Sequence, residues 1–422
     1  MKIAFYTLGC KVNTYDTESV WEVFKEKGYE RASFDEFADV YVINTCTVTN
    51  QSDSKSRKII RQAIRKNQDA VVVVMGCYAQ VSPDEISSIE GVDIITGTKN
   101  RKLIVSLVEE ILEDRKQINV VTDLSNYFDE LAVKSYTDNT RAFLKIEDGC
   151  DNYCSYCIIP YARGHVVSKK VENVLTEAKE LVSNGFKELI LSGIHTGKYG
   201  IDVEYTLTQL VRDLVKIVGL KRLRISSIEI NEITDELLFL IKENDNIANH
   251  LHIPLQSGSD TVLNDMNRKY NTKYFSERIN YIRSVIPNIS ITTDVIVGYP
   301  TETEELFEET YEFIEYNEFS ELHVFPFSKR NGTPAAKLKD LDKIIKSDRV
   351  KSLLILNDKL ASDYAKKFEG QVVDVIIETV NDKSTGYSSN YLKIEIPEVL
   401  HKNDYLDVKV IEAGYPVNKA IL

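Results

Sequence analysis

The chain has 422 residues, 43% of them hydrophobic and 28% charged, which is typical of a globular protein of two or three domains. Its net charge of −13 argues against broad, nonspecific nucleic-acid binding, because affinity for phosphate comes mainly from Lys and Arg. No apolar run approaches the roughly 20 residues of a membrane helix, and the N-terminus lacks the features of a signal peptide. Six cysteines are too few for a disulfide scaffold. We therefore expect a cytoplasmic protein without a membrane partner, whose cysteines bind metal or act in catalysis.

The first segment, residues 1–113, alternates strand and helix signals. Three β-rich runs each end at a cysteine; they are 3–10, 40–46 and 70–77, ending at Cys10, Cys46 and Cys77. Their spacing matches one βαβ unit of about 30 residues, and helical patterns at 16–27 and 52–66 fill the gaps. Because parallel strands bring their C-terminal ends to one edge of a sheet, the three cysteines are expected to meet at one metal centre. The alternative is three buried structural cysteines, which are common in protein cores.

Residues 114–137 lose periodicity and are predicted to be a connector. From 138 to 365 the chain alternates again between the two signals. The predicted strands are 142–147, 188–193, 222–227, 250–255, 290–297 and 321–326, and the predicted helices are 171–184, 206–217, 234–243, 272–285 and 302–316. Repeated βα units predict a parallel sheet curled into a full or partial barrel, with its site at the C-terminal strand ends. After a charged helix at 341–367, short strands separated by turns predict a small β-barrel over 366–422.

The loop after the first barrel strand presents three thiols, Cys150, Cys154 and Cys157, separated by three and then two residues. Thiolates at such spacing select zinc or an iron–sulfur cluster over hard cations. A structural zinc requires a fourth ligand close by, and His165 lies outside the usual spacing of a zinc knuckle. A cubane held by three cysteines leaves one iron open for chemistry. The alternatives are a zinc knuckle or three unrelated core cysteines.

Small and polar residues follow the other predicted strands and are expected to ring the three thiols. They are Gly193 and His195 after the second strand, Ser227 and Glu229 after the third, Gln256 after the fourth and Asp294 near the fifth. Gly193 allows a ligand to approach the backbone closely, and Glu229 and Gln256 can hydrogen-bond an amino or hydroxyl group. His195 is more typical of a loop or packing histidine.

The spacing Cys-x3-Cys-x2-Cys, with Tyr156 just before the third cysteine, resembles the signature of the radical S-adenosylmethionine (SAM) enzymes. In that family the open iron chelates SAM, and an electron from the cluster cleaves it to a 5′-deoxyadenosyl radical. Longer stretches together resemble the methylthiotransferases, which add an N-terminal domain with a second [4Fe-4S] cluster and a C-terminal TRAM domain associated with RNA binding. These stretches are 7–13, 44–49, 76–80, 148–164 and 252–270.

Three branches of this family act on isopentenyladenosine in tRNA, on threonylcarbamoyladenosine in tRNA and on an aspartate of a ribosomal protein. The first branch typically reads Gly-Cys-Gln-Met-Asn at the first cysteine, and the third reads Leu-Gly-Cys-Pro-Lys-Asn. This chain reads Gly-Cys-Lys-Val-Asn at 9–13 and Ile-Ile-Pro-Tyr-Ala-Arg at 158–163, which resembles the second branch. The resemblance therefore implies methylthiolation of C2 of N6-threonylcarbamoyladenosine at the position 3′ of the anticodon.

The resemblance also implies the cofactors and the fold. It implies SAM and two [4Fe-4S] clusters, held by Cys10, Cys46 and Cys77 and by Cys150, Cys154 and Cys157. The implied cofactor-binding residues are Tyr156, Gly193, Ser227, Glu229, Gln256 and Asp294. The fold is then an α/β multidomain chain with an N-terminal βαβ parallel-sheet domain, a central partial (β/α)6 radical SAM barrel and a C-terminal TRAM-like β-barrel.

The implied partners are tRNA, SAM, a flavodoxin- or ferredoxin-type electron donor and a sulfur donor. The C-terminal segment is net acidic, whereas an RNA-binding barrel is expected to present a basic or aromatic surface. Its strand tyrosines either stack on bases or pack; they are Tyr387, Tyr391, Tyr405 and Tyr415. Three alternatives stay open. They are a methylthiotransferase that acts on isopentenyladenosine in tRNA or on a ribosomal-protein aspartate, a zinc-stabilised RNA-binding protein without catalysis, and a radical SAM enzyme with a single cluster.

Overall fold

The N-terminal part of the molecule is a parallel sheet flanked by helices. The computed structural model describes residues 1–124, 126–137 and 139–422. The first six strands are β1 (Lys2–Thr7), β2 (Glu30–Ala32), β3 (Val40–Thr45), β4 (Val71–Gly76), β5 (Ile94–Ile95) and β6 (Ile118–Asn119). All are parallel, in the order β2-β1-β3-β4-β5-β6. Strands β3 and β4 are buried at every residue, as expected for apolar runs that helices cover on both faces.

This part has five helices, two of which were predicted, and the first of these begins earlier than predicted. They are α1 (Lys11–Glu26), α2 (Asn50–Lys66), α3 (Cys77–Val81), α4 (Pro83–Ser87) and α5 (Ile104–Glu113). Helix α1 begins well before the predicted start at residue 16. Its first turns bury the polar side chains of Asn13 and Asp16 in hydrogen bonds, so hydrophobic periodicity did not reveal them. Strand β6 lies in the segment predicted as a connector, which therefore supplies an edge strand of the sheet.

The central part contains six parallel strands and a two-stranded antiparallel pair. Its strands are β7 (Arg141–Lys145), β8 (Glu147–Asp148), β9 (Val167–Ser168), β10 (Glu188–Ser192), β11 (Arg222–Ile225), β12 (His250–His252), β13 (Ser290–Val297) and β14 (Glu321–Pro326). Strands β7, β10 and β11 pair in one sheet and β12, β13 and β14 in another, while β8 pairs with β9. The amide of Ala248 donates to the carbonyl of Leu223 at 2.9 Å and joins the two sheets. The predicted partial (β/α)6 barrel is confirmed.

Helices alternate with these strands and cover the outside of the barrel. They are α6 (Ile159–Arg163), α7 (Val171–Ser183), α8 (Leu207–Leu214), α9 (Asp235–Glu243), α10 (Asp260–Asp265), α11 (Thr272–Val285) and α12 (Glu304–Asn317). Several begin at a side-chain cap, and Thr206 and Gln209 form a reciprocal capping box at the start of α8. Apolar residues of strands and helices, such as Leu189, Leu223 and Ile279, form the largest hydrophobic core of the molecule. Among the described residues, every helix is too short or too polar to span a bilayer.

The chain ends in a long helix and a closed five-stranded barrel. These elements are α13 (Lys343–Lys366), β15 (Val372–Val380), β16 (Ser384–Ser388), β17 (Lys393–Ile396), β18 (Tyr405–Glu412) and β19 (Asn418–Ile421). The strand order is β15-β16-β17-β19-β18, and the small interior is filled by residues such as Val375, Ile394 and Val410. This confirms the predicted C-terminal β-barrel.

The C-terminal barrel packs against the central one through aromatic and charged residues. The Tyr391 ring stacks on His250, with centroids 4.5 Å apart, and Tyr387 stacks on Tyr391 at 5.1 Å. The Tyr405 ring lies 6.0 Å from the Arg222 guanidinium, and the Tyr415 hydroxyl is 3.2 Å from a Glu321 carboxylate oxygen. These tyrosines therefore pack against the central barrel, and this packing explains their presence without a role in stacking on RNA bases.

Candidate active site

The Cys150–Cys157 loop lies at the C-terminal end of the central barrel, directly after β7 and β8. Gly149 has φ +89°, and a Cβ there would lie 2.0 Å from the carbonyl oxygen of His165, so this sharp approach requires glycine. Burial raises the pKa of Cys150 above its ordinary value and the pKa of Cys157 to about 12. Such thiols ionise at neutral pH only when a cation takes the place of the proton. The loop is thus suited to a soft metal centre.

Arg268 lies beside this loop and was not identified from the sequence. Its guanidinium donates to the Cys154 sulfur at 3.3 Å and forms an ion pair with Glu229. The same guanidinium lies 5.0 Å from the centroid of the Tyr270 ring. Glu229, predicted to bind a cofactor, therefore contacts Arg268, and it lines neither of the two cavities described below. The only signal for Arg268 was its place in the 252–270 stretch.

His195 and Gly193 lie on the other side of the thiols. The His195 Nδ1 is 3.6 Å from the Cys150 sulfur, and its Nε2 is 2.7 Å from a Glu232 oxygen. A buried Glu147 carboxylate accepts hydrogen bonds from the amides of Ile194 and His195 at 2.9 and 2.7 Å. A Cβ at Gly193 would lie 2.7 Å from this carboxylate. The loop after β10 is therefore fixed tightly against the thiol loop.

Cys10, Cys46 and Cys77 meet at the C-terminal edge of the N-terminal sheet. Cys10 and Cys46 follow β1 and β3, while Cys77 opens α3 after β4. A Cβ at Gly9 would lie 3.0 Å from the Cys46 Cβ, which shows how closely the strand ends approach. Burial raises the pKa of Cys77 to about 12, and the neighbouring Cys46 and Cys10 add to this shift. The predicted convergence of three distant cysteines is therefore present in the fold.

Neither group of thiols is shaped for one ion. Across residues 1–124, 126–137 and 139–422, the one set of three His, Cys, Asp or Glu side chains whose ligand atoms all lie within 4.8 Å of one another is His252, Asp294 and His323. Both thiol triads are more open than this limit. A polynuclear cluster spaces its three thiolates more widely than a single ion does, so the donor atoms and their spacing fit an iron–sulfur cluster better than zinc.

A buried network of charges joins the two thiol-bearing parts. Arg163, at the end of the α6 turn that follows Cys157, donates to Asn13 at 2.6 Å, to Asp16 at 3.2 Å and to Asp148 at 3.0 Å. Burial acts to raise the pKa of Asp148, but Arg163 and Lys145 outweigh it and hold that pKa well below the ordinary value. A hydrogen bond from Arg163 also lowers the pKa of Cys77, against the larger effect of burial. Arg163 therefore links the two triads.

Two cavities lie beside the thiols: the apolar cavity touches both triads, through Cys10 and Cys157, and the polar cavity touches the first triad, through Cys10. The apolar cavity, of about 420 Å³, is lined by Cys10, Tyr156, Cys157, Ile158, Gln256, Asp294, Ile296, Phe325 and Phe327 among others. The polar cavity, also of about 420 Å³, is lined by Cys10, Lys11, Gly193, Arg224, Ser227, His250, His252, Asp294, His323 and Tyr391 among others. Cys10 and Asp294 line both. The structure thus brings five of the six predicted cofactor-binding residues to these cavities and leaves out Glu229.

Asp294 is the one acidic side chain that lines the polar cavity in the described part of the chain. It accepts hydrogen bonds from His252 Nε2 at 3.2 Å and from His323 Nδ1 at 3.3 Å. Burial acts to raise the pKa of Asp294, but these two hydrogen bonds outweigh it and hold the pKa below its ordinary value. The hydrogen bond to Asp294 raises the pKa of His323. The carboxylate is therefore ionised and already paired.

Comparison with known proteins agrees with this geometry. The model of an uncharacterised protein family, UPF0004, matches residues 2–97, and the radical SAM superfamily model matches residues 144–314. A threonylcarbamoyladenosine tRNA methylthiotransferase of Bacillus subtilis is 49% identical, over 99% of this chain and 95% of the relative. The chain belongs to the radical SAM methylthiotransferase family. A protein of the same name from Aquifex aeolicus is 42% identical, over 94% of this methylthiotransferase and 96% of the relative.

Other relatives of this methylthiotransferase are named for a different substrate. A tRNA-2-methylthio-N(6)-dimethylallyladenosine synthase of Thermoanaerobacter pseudethanolicus is 35% identical, over 90% of this chain and 82% of the relative. Among solved structures, the radical SAM methyltransferase TsrM of Kitasatospora setae has a TM-score of 0.62 at 14% identity, covering 79% of this chain and 76% of that one. That likeness shows the fold. The family confirms the prediction of an enzyme that uses SAM and [4Fe-4S] clusters.

Proposed function

We propose that this methylthiotransferase transfers a methylthio group to C2 of N6-threonylcarbamoyladenosine, at the position 3′ of the anticodon in tRNA. The observation that carries the proposal is that Cys10, from one triad, and Cys157, from the other, line the same apolar cavity. A substrate carbon activated at one triad can therefore meet sulfur at the other without leaving the protein. The relatives from Bacillus subtilis and Aquifex aeolicus are named for this substrate.

The six cysteines take two different roles in this proposal. Cys150, Cys154 and Cys157 hold the [4Fe-4S] cluster that binds SAM, and Cys10, Cys46 and Cys77 hold the second cluster. When bound, these groups supply a 5′-deoxyadenosyl radical and the sulfur to be transferred. The hydrogen on C2 of adenine is not acidic, so acid–base side chains could not remove it. The task of the cavity residues is to hold the base between the two triads and to exclude water.

The residues around the cavities bind and orient SAM and the base. Tyr156, Gln256 and Asp294 line the apolar cavity next to Cys157, where an aromatic ring, an amide and a carboxylate suit the adenosine part of SAM. Gly193 and Ser227 line the polar cavity, where the backbone and a hydroxyl can meet polar groups. Glu229 is a positioning residue, because it holds Arg268 in the orientation from which Arg268 donates to Cys154.

Each segment of the chain has its own role in the proposed function. Residues 1–113 form the domain of the second cluster, 114–137 the connector, 138–365 the radical SAM core and 366–422 the TRAM-like barrel that binds tRNA. A flavodoxin- or ferredoxin-type protein supplies electrons, and a separate donor renews the sulfur. The enzyme works in the cytoplasm, where tRNA is modified.

The first experiment is to measure iron and acid-labile sulfide per chain after anaerobic reconstitution. We expect about eight irons in the wild type and about four in a Cys10/Cys46/Cys77→Ala variant. A Cys150/Cys154/Cys157→Ala variant is the matched control and should also hold about four. A wild type with about four irons, none of them lost from the first variant, would overturn the proposal.

The second experiment follows products. The reconstituted enzyme, a chemical reductant, SAM and tRNA that carries threonylcarbamoyladenosine should yield the 2-methylthio nucleoside, detected by mass spectrometry of the digested tRNA. The Cys10/Cys46/Cys77→Ala variant should still cleave SAM to 5′-deoxyadenosine but form no methylthio product. A product that appeared instead on isopentenyladenosine or on a protein aspartate would contradict the proposed substrate.

A further inference from the structure

The polar cavity contains one cation without a partner. Lys11 is the first residue of α1, directly after Cys10, and its side chain lines the cavity. No hydrogen bond or ion pair joins its ammonium group to any other residue in the described part of the chain. Lys11 is exposed, so water solvates its ammonium, and an anionic ligand that enters the cavity can take the place of this water.

The other charges near Lys11 are already paired. Arg224, which lines the same cavity, donates to Glu188 at 2.8 Å and to the carbonyls of Ser388 and Ser389 at 3.1 Å each. Arg141 forms an ion pair with Glu378. Both guanidiniums act on Lys11 as like charges. Lys11 is therefore the lining cation that is free to bind an anion.

Nothing acidic in the cavity competes for this place. Asp294 is the one acidic lining residue among those described, and it already accepts hydrogen bonds from His252 and His323. Four basic or potentially basic side chains besides Lys11 line the same space; they are Arg224, His250, His252 and His323. Burial holds the pKa of His250 well below its ordinary value, so this ring is neutral, and Lys11 is the cation that the cavity leaves free for a negatively charged ligand.

We propose that the Lys11 ammonium binds the carboxylate of the threonylcarbamoyl group and thereby selects this nucleoside, an inference that rests on the proposed function. The threonyl carboxylate is the charge that isopentenyladenosine lacks. The substituent on N6 and the reacting C2 belong to the same ring, so a cation next to Cys10 is suitably placed to orient both.

The test compares substrates and variants in pairs. Anticodon stem-loops carry threonylcarbamoyladenosine, its methyl ester or isopentenyladenosine, and dissociation constants and kcat/KM are measured with reconstituted enzyme. Lys11→Gln should weaken binding of the acid about 10- to 100-fold, the range for a hydrogen bond between charged groups, and leave binding of the ester nearly unchanged. Lys11→Arg should retain most of the preference for the acid. Lys102→Gln, at an exposed lysine that lines neither cavity, is the matched control.

The outcomes separate this inference from the proposed function. A wild type that binds acid and ester equally, or a Lys11→Gln variant that prefers the acid as strongly as the wild type does, would overturn the role of Lys11 and leave the proposed function standing. A wild type that forms no 2-methylthio product from the acid stem-loop would overturn the proposed function. Iron content shows whether Lys11→Gln retains its clusters. If the variant loses them, a wild type that binds acid and ester equally still overturns the role of Lys11.

Discussion

Substitution of Asp16 by Asn should loosen the attachment of the N-terminal sheet to the central barrel. The Asp16 side chain is 4% exposed and forms ion pairs with Arg101, with Lys145 at 2.8 Å and with Arg163 at 3.2 Å. Asn keeps the shape but removes the charge from among three buried cations. Breaking a buried ion pair costs about 3–5 kcal/mol because the remaining charge stays uncompensated.

The three cations each keep a second carboxylate, which places the expected loss at the lower end of this range. Arg101 still pairs with Asp129 at 3.3 Å, and Lys145 and Arg163 still pair with Asp148 at 2.7 and 3.0 Å. We therefore expect Asp16→Asn to lower the free energy of unfolding by about 3 kcal/mol.

Urea unfolding followed by tryptophan fluorescence measures this loss directly, because the chain has a single tryptophan and it lies in α1, as Trp21. The control is Asp35→Asn, whose side chain is 86% exposed and pairs with Lys66 at 3.1 Å; it should change the free energy by less than about 1 kcal/mol. If Asp16→Asn unfolds within about 1 kcal/mol of the wild type, the buried network does not stabilise this junction.

Three further results are expected. Cys150→Ala should lose about four of the eight irons and all formation of 5′-deoxyadenosine, measured by iron analysis and chromatography; full SAM cleavage would contradict the assignment. The pKa of Asp16 lies below its ordinary 3.8, because Arg101, Lys145 and Arg163 outweigh burial, so its stabilisation is present above that pH and is lost as the pH falls. Urea midpoints should therefore drop below about pH 4 in the wild type and drop less in Asp16→Asn. Gly76→Ala should lower the free energy of unfolding by at least about 1–3 kcal/mol in the same assay and reduce bound iron. The reason is that Gly76 has φ +98° and that a Cβ there would lie 2.3 Å from the side-chain oxygen of Asn44. A variant as stable as the wild type would contradict this strain.

Most of the fold could be predicted because its signals are local. Buried parallel strands such as Val71–Gly76 are continuous apolar runs, and amphipathic helices such as Thr272–Val285 show their period in the sequence. The three strand-end cysteines could be placed at one sheet edge for the same reason, since a βαβ repeat fixes which ends of the strands lie together.

Long-range polar contacts could not be predicted in this way. Arg268 reaches the Cys154 sulfur from a loop far along the chain, and Glu229 turns to Arg268 rather than to either cavity. Asn13 and Asp16 can be buried because Arg163 donates to both of them and Lys145 also pairs with Asp16. The pairing of β6 with β5 depends on how the connector crosses the sheet edge, and its sequence shows no period.

Tyr391 makes the C-terminal barrel part of the wall of the polar cavity. It belongs to the turn between β16 and β17, yet it lines the polar cavity and stacks on His250 of the central barrel. A C-terminal barrel exchanged between members of the family would have to bring a matching side chain to the position of Tyr391. Without one, the polar cavity would be open on that side. The stacking of Tyr391 on His250 therefore couples the C-terminal barrel to the central barrel. We expect these two residues to change together when such enzymes diverge.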